Sequence, residues 1–213
     1  MEHLLELLFR WGHGLFGITW IGFLYYFNFV QGGYFKKASP EALADAKQHL
    51  APAALWWFRW GAMLTFITGL YLFGRLSGGF NSLILVGAVM GIIMFLNVWL
   101  VIWPNQKIAL GMVEGDAAAA GAKALLASRT NTLFSGPMLL GMLGSHSHAG
   151  ALDPWWSNVE GSSTTGLMIM LAIVLLLELN ALFGKQGPLA SVKGVIHCSV
   201  LLSVVMAAVL HYL

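Results

Sequence analysis

The chain has 213 residues, of which 58% are hydrophobic and 9% charged, with a formal net charge of +2. Soluble domains carry about 25% charged residues, so this composition excludes an ordinary water-soluble enzyme and points to a polytopic membrane protein. The charge is too small and too scattered for a nucleic-acid partner. The single cysteine, Cys198, leaves no intrachain disulfide, no CxxC zinc site and no CxxCH haem attachment.

The N-terminus, Met1-Glu2-His3, lacks a basic n-region and a small-residue cleavage site, so the first apolar stretch reads as a retained helix. A membrane helix needs roughly 20 mostly apolar residues. In chain order the qualifying segments are Leu4–Val30, Ala53–Phe73, Ser82–Trp103, Asn131–Ser145, Leu167–Phe183 and Ser191–Leu213. The expectation is an all-α integral membrane protein, a bundle of about six transmembrane helices in a single domain, 1–213. The fourth segment is short and contains Pro137. A polar connection, Gln31–Pro52, follows the first span. The longer connection, 104–130, is alanine-rich from Asp116 to Lys123 and is predicted to be a cytoplasmic or interfacial helix. Lys36, Lys37, Lys47, Lys107, Lys123, Arg129, Lys185 and Lys193 fall on one side of these spans, and Arg10 and Arg75 toward the other. The positive-inside rule then places both termini on the outer, periplasmic side of a bacterial inner membrane.

Ionisable residues inside the spans are candidate sites, because lipid tolerates them only where they face the protein interior and find a partner. They are Arg10 and His13 in the first span, Arg59 in the second, Glu178 in the fifth, and His197 and His211 in the last. At about 1.5 Å per residue, His13 lies roughly 25 Å from the cytoplasmic end of its helix. His146 reaches a similar height and His211 a little more, with His148 just beyond. His197 is only about 10 Å in, near the level of Arg59. His197 and His211 differ by about 40° around their helix and by roughly 21 Å along it. One helix face could thus carry an imidazole for each leaflet, as in helices that ligate two stacked b-type haems. The pattern predicts one or two haem b groups, with His13, His146, His197 and His211 as iron ligands. Arg10 and Arg59 would answer propionate charge, and Gly12, Gly14 and Gly17 would let a flat ring approach the backbone.

Plainer readings stand beside these. A membrane histidine can also simply hydrogen-bond a neighbouring helix, a reading that weighs least against His13, deep and flanked by small residues, and more against His211, which could reach headgroups. Arg59 could snorkel among Trp56, Trp57 and Trp60, and Glu178 is either a proton-handling group or a structural partner of Asn180. His3 and His49 read as interfacial. The i, i+4, i+8 row of Met138, Met142 and His146 suits packing better than soft copper ligation. Gly87 and Gly91 have the small-xxx-small spacing of close helix contacts. There is no P-loop, Rossmann fingerprint or serine-nucleophile elbow, and no residue is identifiable as a catalyst.

The run Arg10-Trp11-Gly12-His13-Gly14-Leu15-Phe16-Gly17-Ile18-Thr19-Trp20-Ile21-Gly22 resembles the first membrane helix of bacterial membrane-bound, cytochrome-c-linked urate oxidases (urate hydroxylases), in their N-terminal domain. Asn97-Val98-Trp99 with Trp103-Pro104-Asn105-Gln106-Lys107 is similar, as is Asn131-Thr132-Leu133-Phe134-Ser135-Gly136-Pro137-Met138. His146 and His148 fall where that family keeps a histidine, and Glu178 with Asn180-Ala181-Leu182-Phe183-Gly184 also looks familial. The resemblance implies a membrane module whose full-length relatives oxidise urate and pass electrons to an attached cytochrome c domain. This sequence carries no CxxCH, so either a separate c-type cytochrome or larger respiratory complex takes the acceptor's role, or this short branch does something other than urate oxidation. A more distant likeness to the membrane protoporphyrinogen oxidase family, with its histidine in an aromatic-rich first helix, adds weight to haem b.

The leading expectation is therefore a membrane redox protein of the urate oxidase N-terminal family that binds haem b and passes electrons to a separate cytochrome or respiratory complex. The alternative is a non-catalytic accessory subunit of a larger respiratory or photosynthetic complex. A homo-oligomer is compatible with either. A transporter is less favoured, because paired broken helices in matching halves are absent from the sequence pattern.

Overall fold

A computed structural model describes residues 2–76, 81–144 and 164–213. Among these residues the regular structure is entirely helical, with no strand. Helix α1 is Glu2–Tyr25, continued by a π turn, Tyr26–Gln31, and by α2, Gly32–Phe35. Then come α3 (Pro40–Asp45), a second π turn (Ala46–Leu50) and α4 (Ala51–Gly74). Helix α5 (Ser82–Leu96) passes through a third π turn (Asn97–Ile102) into α6 (Trp103–Ala109). Helices α7 (Ala117–Gly144), α8 (Thr164–Phe183) and α9 (Val192–Tyr212) complete the order, with a 3-10 turn, Gly187–Ala190, before α9.

The helix starts are written in the local sequence. Ser39 accepts from the Ala42 N–H at 3.3 Å ahead of Pro40, which suits a first helical position. Asn81 accepts from Ile84 at 3.0 Å, and Asp116 from Ala118 and Ala119 at 2.9 and 3.0 Å. Ser191 accepts from Gly194 at 2.9 Å. Helix α6 closes at Gly111, whose φ of 74° needs the freedom of glycine.

Three helical runs are long and apolar enough to cross a membrane: Ser82–Ala109, Thr164–Phe183 and Val192–Tyr212. Their outward faces are apolar, with Leu175, Leu176 and Leu179 exposed on α8 and Val200, Leu201 and Val204 exposed on α9. Helices α1 and α4 are as long, at 24 residues each. Glu2, His3, Glu6, Arg10 and His13 in α1 and Arg59 in α4, with the tryptophans, tyrosines and glycines of both, make them less hydropathic. The polar connection expected over 31–52 is mostly helical. In place of a short fourth span, α7 begins at Ala117 and runs unbroken through Pro137 to Gly144.

The helices group into two compact units. One comprises Met1–Arg75 with Phe95–Ser128, and the other Leu76–Met94 with Arg129–Leu213. In the first unit α1 lies along α4. Gly61 admits the α1 backbone so closely that a Cβ there would come 3.1 Å from the Trp20 nitrogen. Phe9 stacks on Tyr71 at 3.8 Å, and Phe66 on Phe95 at 4.1 Å. In the second unit, α5 and α7 meet through Gly87 and Gly141, where a Cβ on Gly141 would lie 2.6 Å from the Leu83 carbonyl oxygen. Helices α8 and α9 close on Gly166, whose Cβ would lie 2.9 Å from the Val209 oxygen. Small residues at such crossings let the two helix backbones approach each other directly.

Candidate functional site

Within the first unit, α4 presents Gly61, Thr65 and Gly69 at i, i+4 and i+8, one narrow face of small side chains. The imidazole of His13 sits against this face. His13 Nδ1 lies 2.9 Å from the Thr65 carbonyl oxygen and 3.2 Å from Thr68 Oγ1. A carbonyl oxygen only accepts, so Nδ1 carries the hydrogen and donates it. The Thr68 hydroxyl is committed as a donor to its own helix, 2.7 Å from the Leu64 oxygen and 3.0 Å from the Thr65 oxygen. In the neutral ring the lone pair is therefore on Nε2, which has no hydrogen-bond partner among the described residues. An imidazole oriented by one nitrogen on a backbone carbonyl, with the other nitrogen bare, is the arrangement found in histidines that ligate a metal.

Glycine at position 69 makes this possible, since a Cβ there would come 3.0 Å from His13 Cε1 and 3.4 Å from Nδ1. Gly69→Ala is accordingly expected to displace the imidazole and break its bond to Thr65. Histidine NMR or, where haem is bound, the visible spectrum would register the change, and an unaltered signal would contradict the packing described. Of the three glycines beside His13, Gly12 faces Thr68 and Gly17 faces Thr65, so both serve the α1–α4 contact. Only Gly14 opens onto free space, with nothing within 4 Å of the place a Cβ would take.

The two arginines expected near propionates are answered locally. Arg10 is exposed and bonded to Glu6 on the same helix, Nη2 to Oε1 at 2.6 Å and Nε to Oε1 at 3.0 Å. Arg59 places its guanidinium carbon 3.5 Å from the centre of the Trp103 ring and 5.7 Å from that of Trp99, and Nε donates to the Leu55 oxygen at 3.3 Å. The π turn Asn97–Ile102 precedes Trp103 and carries Trp99. Trp103→Ala is expected to destabilise the protein by about 1–2 kcal/mol through loss of this cation–π contact, with Trp103→Phe retaining part of it. Thermal unfolding would check this, and equal stability of both variants with the parent would count against it.

The other predicted residues are placed as follows. His146, with His148, lies outside the described residues. On α9, His197 is exposed, whereas His211 is half-buried with its ring edge-on to Tyr212 at 4.6 Å. Glu178 is half-buried on α8 and engaged in an interaction. His49 lies 3.9 Å from Asp45 on the surface. No group of three His, Cys, Asp or Glu gathers to hold a metal ion among the described residues. A haem would thus find one candidate nitrogen ligand at His13, while no free arginine stands at position 10 or 59 to answer its propionates.

Two features escaped the sequence. Asn28, buried in the first π turn, donates to the Leu24 oxygen at 2.9 Å and to Ser128 Oγ at 2.8 Å. Its amide occupies a helix carbonyl, which accords with the local widening to a π turn. On α7, every residue from Leu126 to Ser135 is buried, although the stretch includes Ser128, Arg129, Thr130, Asn131 and Thr132. Arg129, grouped above with the loop cations, stands inside this helix at 8% exposure. The signal was available: Ser-Arg-Thr-Asn-Thr directly continues the alanine helix, with no breaking residue between.

The family comparison bears directly on α7. Residues 73–169 match the urate oxidase N-terminal family. The urate oxidase N-terminal match holds two of the three motifs that suggested it, Asn97–Lys107 and Asn131–Met138, together with His146. It includes the buried polar stretch of α7. The first motif and His13 lie before it, and Glu178, His197 and His211 lie after it. No curated protein and no solved structure matches the chain.

Proposed function

We propose that the protein is a membrane redox module of the urate oxidase N-terminal kind, in which His13 presents Nε2 to the iron of haem b. The observation that carries this reading is the Nδ1 bond to the Thr65 carbonyl, which leaves Nε2 as the basic nitrogen between two closely packed helices. When bound, haem b supplies a one-electron couple. The chain's own part is to fix the tautomer through Thr65, to keep the ring upright against Gly69, and to hold α1 and α4 together at Gly61. Six helical runs cross the bacterial inner membrane in this reading, with both termini outside. Electrons leave for a separate c-type cytochrome or respiratory complex.

The test is electron transfer by the purified full chain in lipid nanodiscs. Chemically reduced protein mixed with oxidised cytochrome c is expected to reduce it at a rate proportional to protein concentration. Alanine variants of His13, His146, His197 and His211 run in parallel. A haem-loaded wild type that leaves cytochrome c oxidised would refute the transfer step.

A further inference from the structure

The chain has four arginines, and three of them have their charge answered within the protein. Arg10 is paired with Glu6 at 2.6 Å, Arg75 with Glu2 at 3.6 Å, and Arg59 rests on Trp103. Arg129 is the exception. It is 8% exposed, and its Nε and Nη1 are fully buried without a hydrogen-bond partner among the described residues. It has no ion pair and no aromatic ring over it among those residues either. A guanidinium cannot shed its proton to escape burial, unlike a lysine or a histidine. Leaving such a charge unanswered is among the most costly arrangements a protein can hold.

Nothing on α7 can answer it, since residues 117–144 include no aspartate or glutamate. The polar residues that follow it on α7 are neutral and supply no countercharge: Asn131 donates to the Met94 oxygen at 2.9 Å, and Ser135 to the Thr132 oxygen at 2.7 Å. Nε and Nη1 are separate donors that point in different directions on the planar group, and charged oxygens answer such donors most strongly. Guanidinium recognises carboxylate and phosphate oxygens in this way, through charge-assisted bonds of fixed direction.

We propose that Arg129 is the ligand of an oxyanion, a carboxylate or a phosphate, bound at the buried polar stretch of α7. The site is independent of the His13 assignment. Two sources carry this chemistry: a small soluble anion and the headgroup of an anionic lipid.

The experiment is thermal unfolding of the full chain in phosphatidylcholine nanodiscs, followed by tryptophan fluorescence, with ionic strength held constant by chloride. Inorganic phosphate and acetate are the soluble probes, and phosphatidylglycerol added to the nanodisc is the lipid probe. A ligand that binds only the folded state raises the melting temperature in a saturable manner. A saturable rise with phosphate or acetate that is absent in Arg129→Gln supports a free oxyanion. A rise confined to phosphatidylglycerol and absent in Arg129→Gln supports a headgroup. Equal responses of wild type and Arg129→Gln to every probe, or none in either, overturn the proposal. Should Arg129→Gln not fold, Arg129→Lys decides. It keeps a charge without the planar fork, so its saturation midpoint should move at least about tenfold, and an unchanged midpoint overturns the proposal.

Discussion

His13→Ala is expected to lower the haem content of the purified chain by more than about tenfold, since even the groups that merely orient a ligand contribute 10–100-fold to affinity. The fold should survive, because the α1–α4 crossing rests on Gly61 against Trp20 and on the Phe9–Tyr71 stack rather than on the imidazole. Circular dichroism would therefore stay helical while the visible spectrum fades. Added imidazole should restore part of the absorbance by filling the vacated position, a response that a merely structural histidine would not show. A variant with wild-type haem content and an unmoved spectrum would remove His13 from the iron.

The second large effect belongs to the α5–α7 contact. A methyl group at position 141 would press to 2.6 Å from the Leu83 oxygen and 3.0 Å from the Gly87 Cα, both backbone atoms that move only with the helices. Gly141→Ala is expected to cost about 1–3 kcal/mol, the range for overpacking. This outweighs the gain in helix propensity of about 1 kcal/mol for glycine to alanine. Gly91→Ala is the control. Its Cβ would meet Met138 Sδ at 3.6 Å, an ordinary contact with a flexible side chain, so it should be neutral or slightly stabilising. Thermal unfolding of the two variants side by side gives the answer. Equal melting temperatures would mean that the helices do not meet at Gly141.

How much of this is legible without the structure depends on whether a signal is local. Capping at Ser39, Asp116 and Ser191 is local, and helical structure follows from it. The apolar runs that form α5, α8 and α9 are plain from composition. Gly87 is recognisable as a contact residue by its spacing from Gly91, yet its partner is Gly141, and a spacing within one helix cannot name the helix opposite. The site residues show the same division. That His13 matters can be read from its depth in an apolar helix. That Thr65 and Gly69 orient it cannot, since they lie more than fifty positions away. Arg10 reads toward a propionate in the sequence, whereas Glu6, one turn before it, takes the guanidinium through the i, i+4 geometry of a helix. Arg129 reads as a loop cation when charge is weighed without asking where α7 begins. The Asp116 cap and the alanines after it start the helix early enough to carry that arginine inside.

The most direct test of the account is a reduced-minus-oxidised visible spectrum of the purified wild-type chain, with a pyridine haemochrome assay for haem type and stoichiometry. Bands of b type with at least one haem per chain are the result the His13 assignment predicts. A flat difference spectrum from a folded, helical protein prepared in haem-sufficient cells would contradict it.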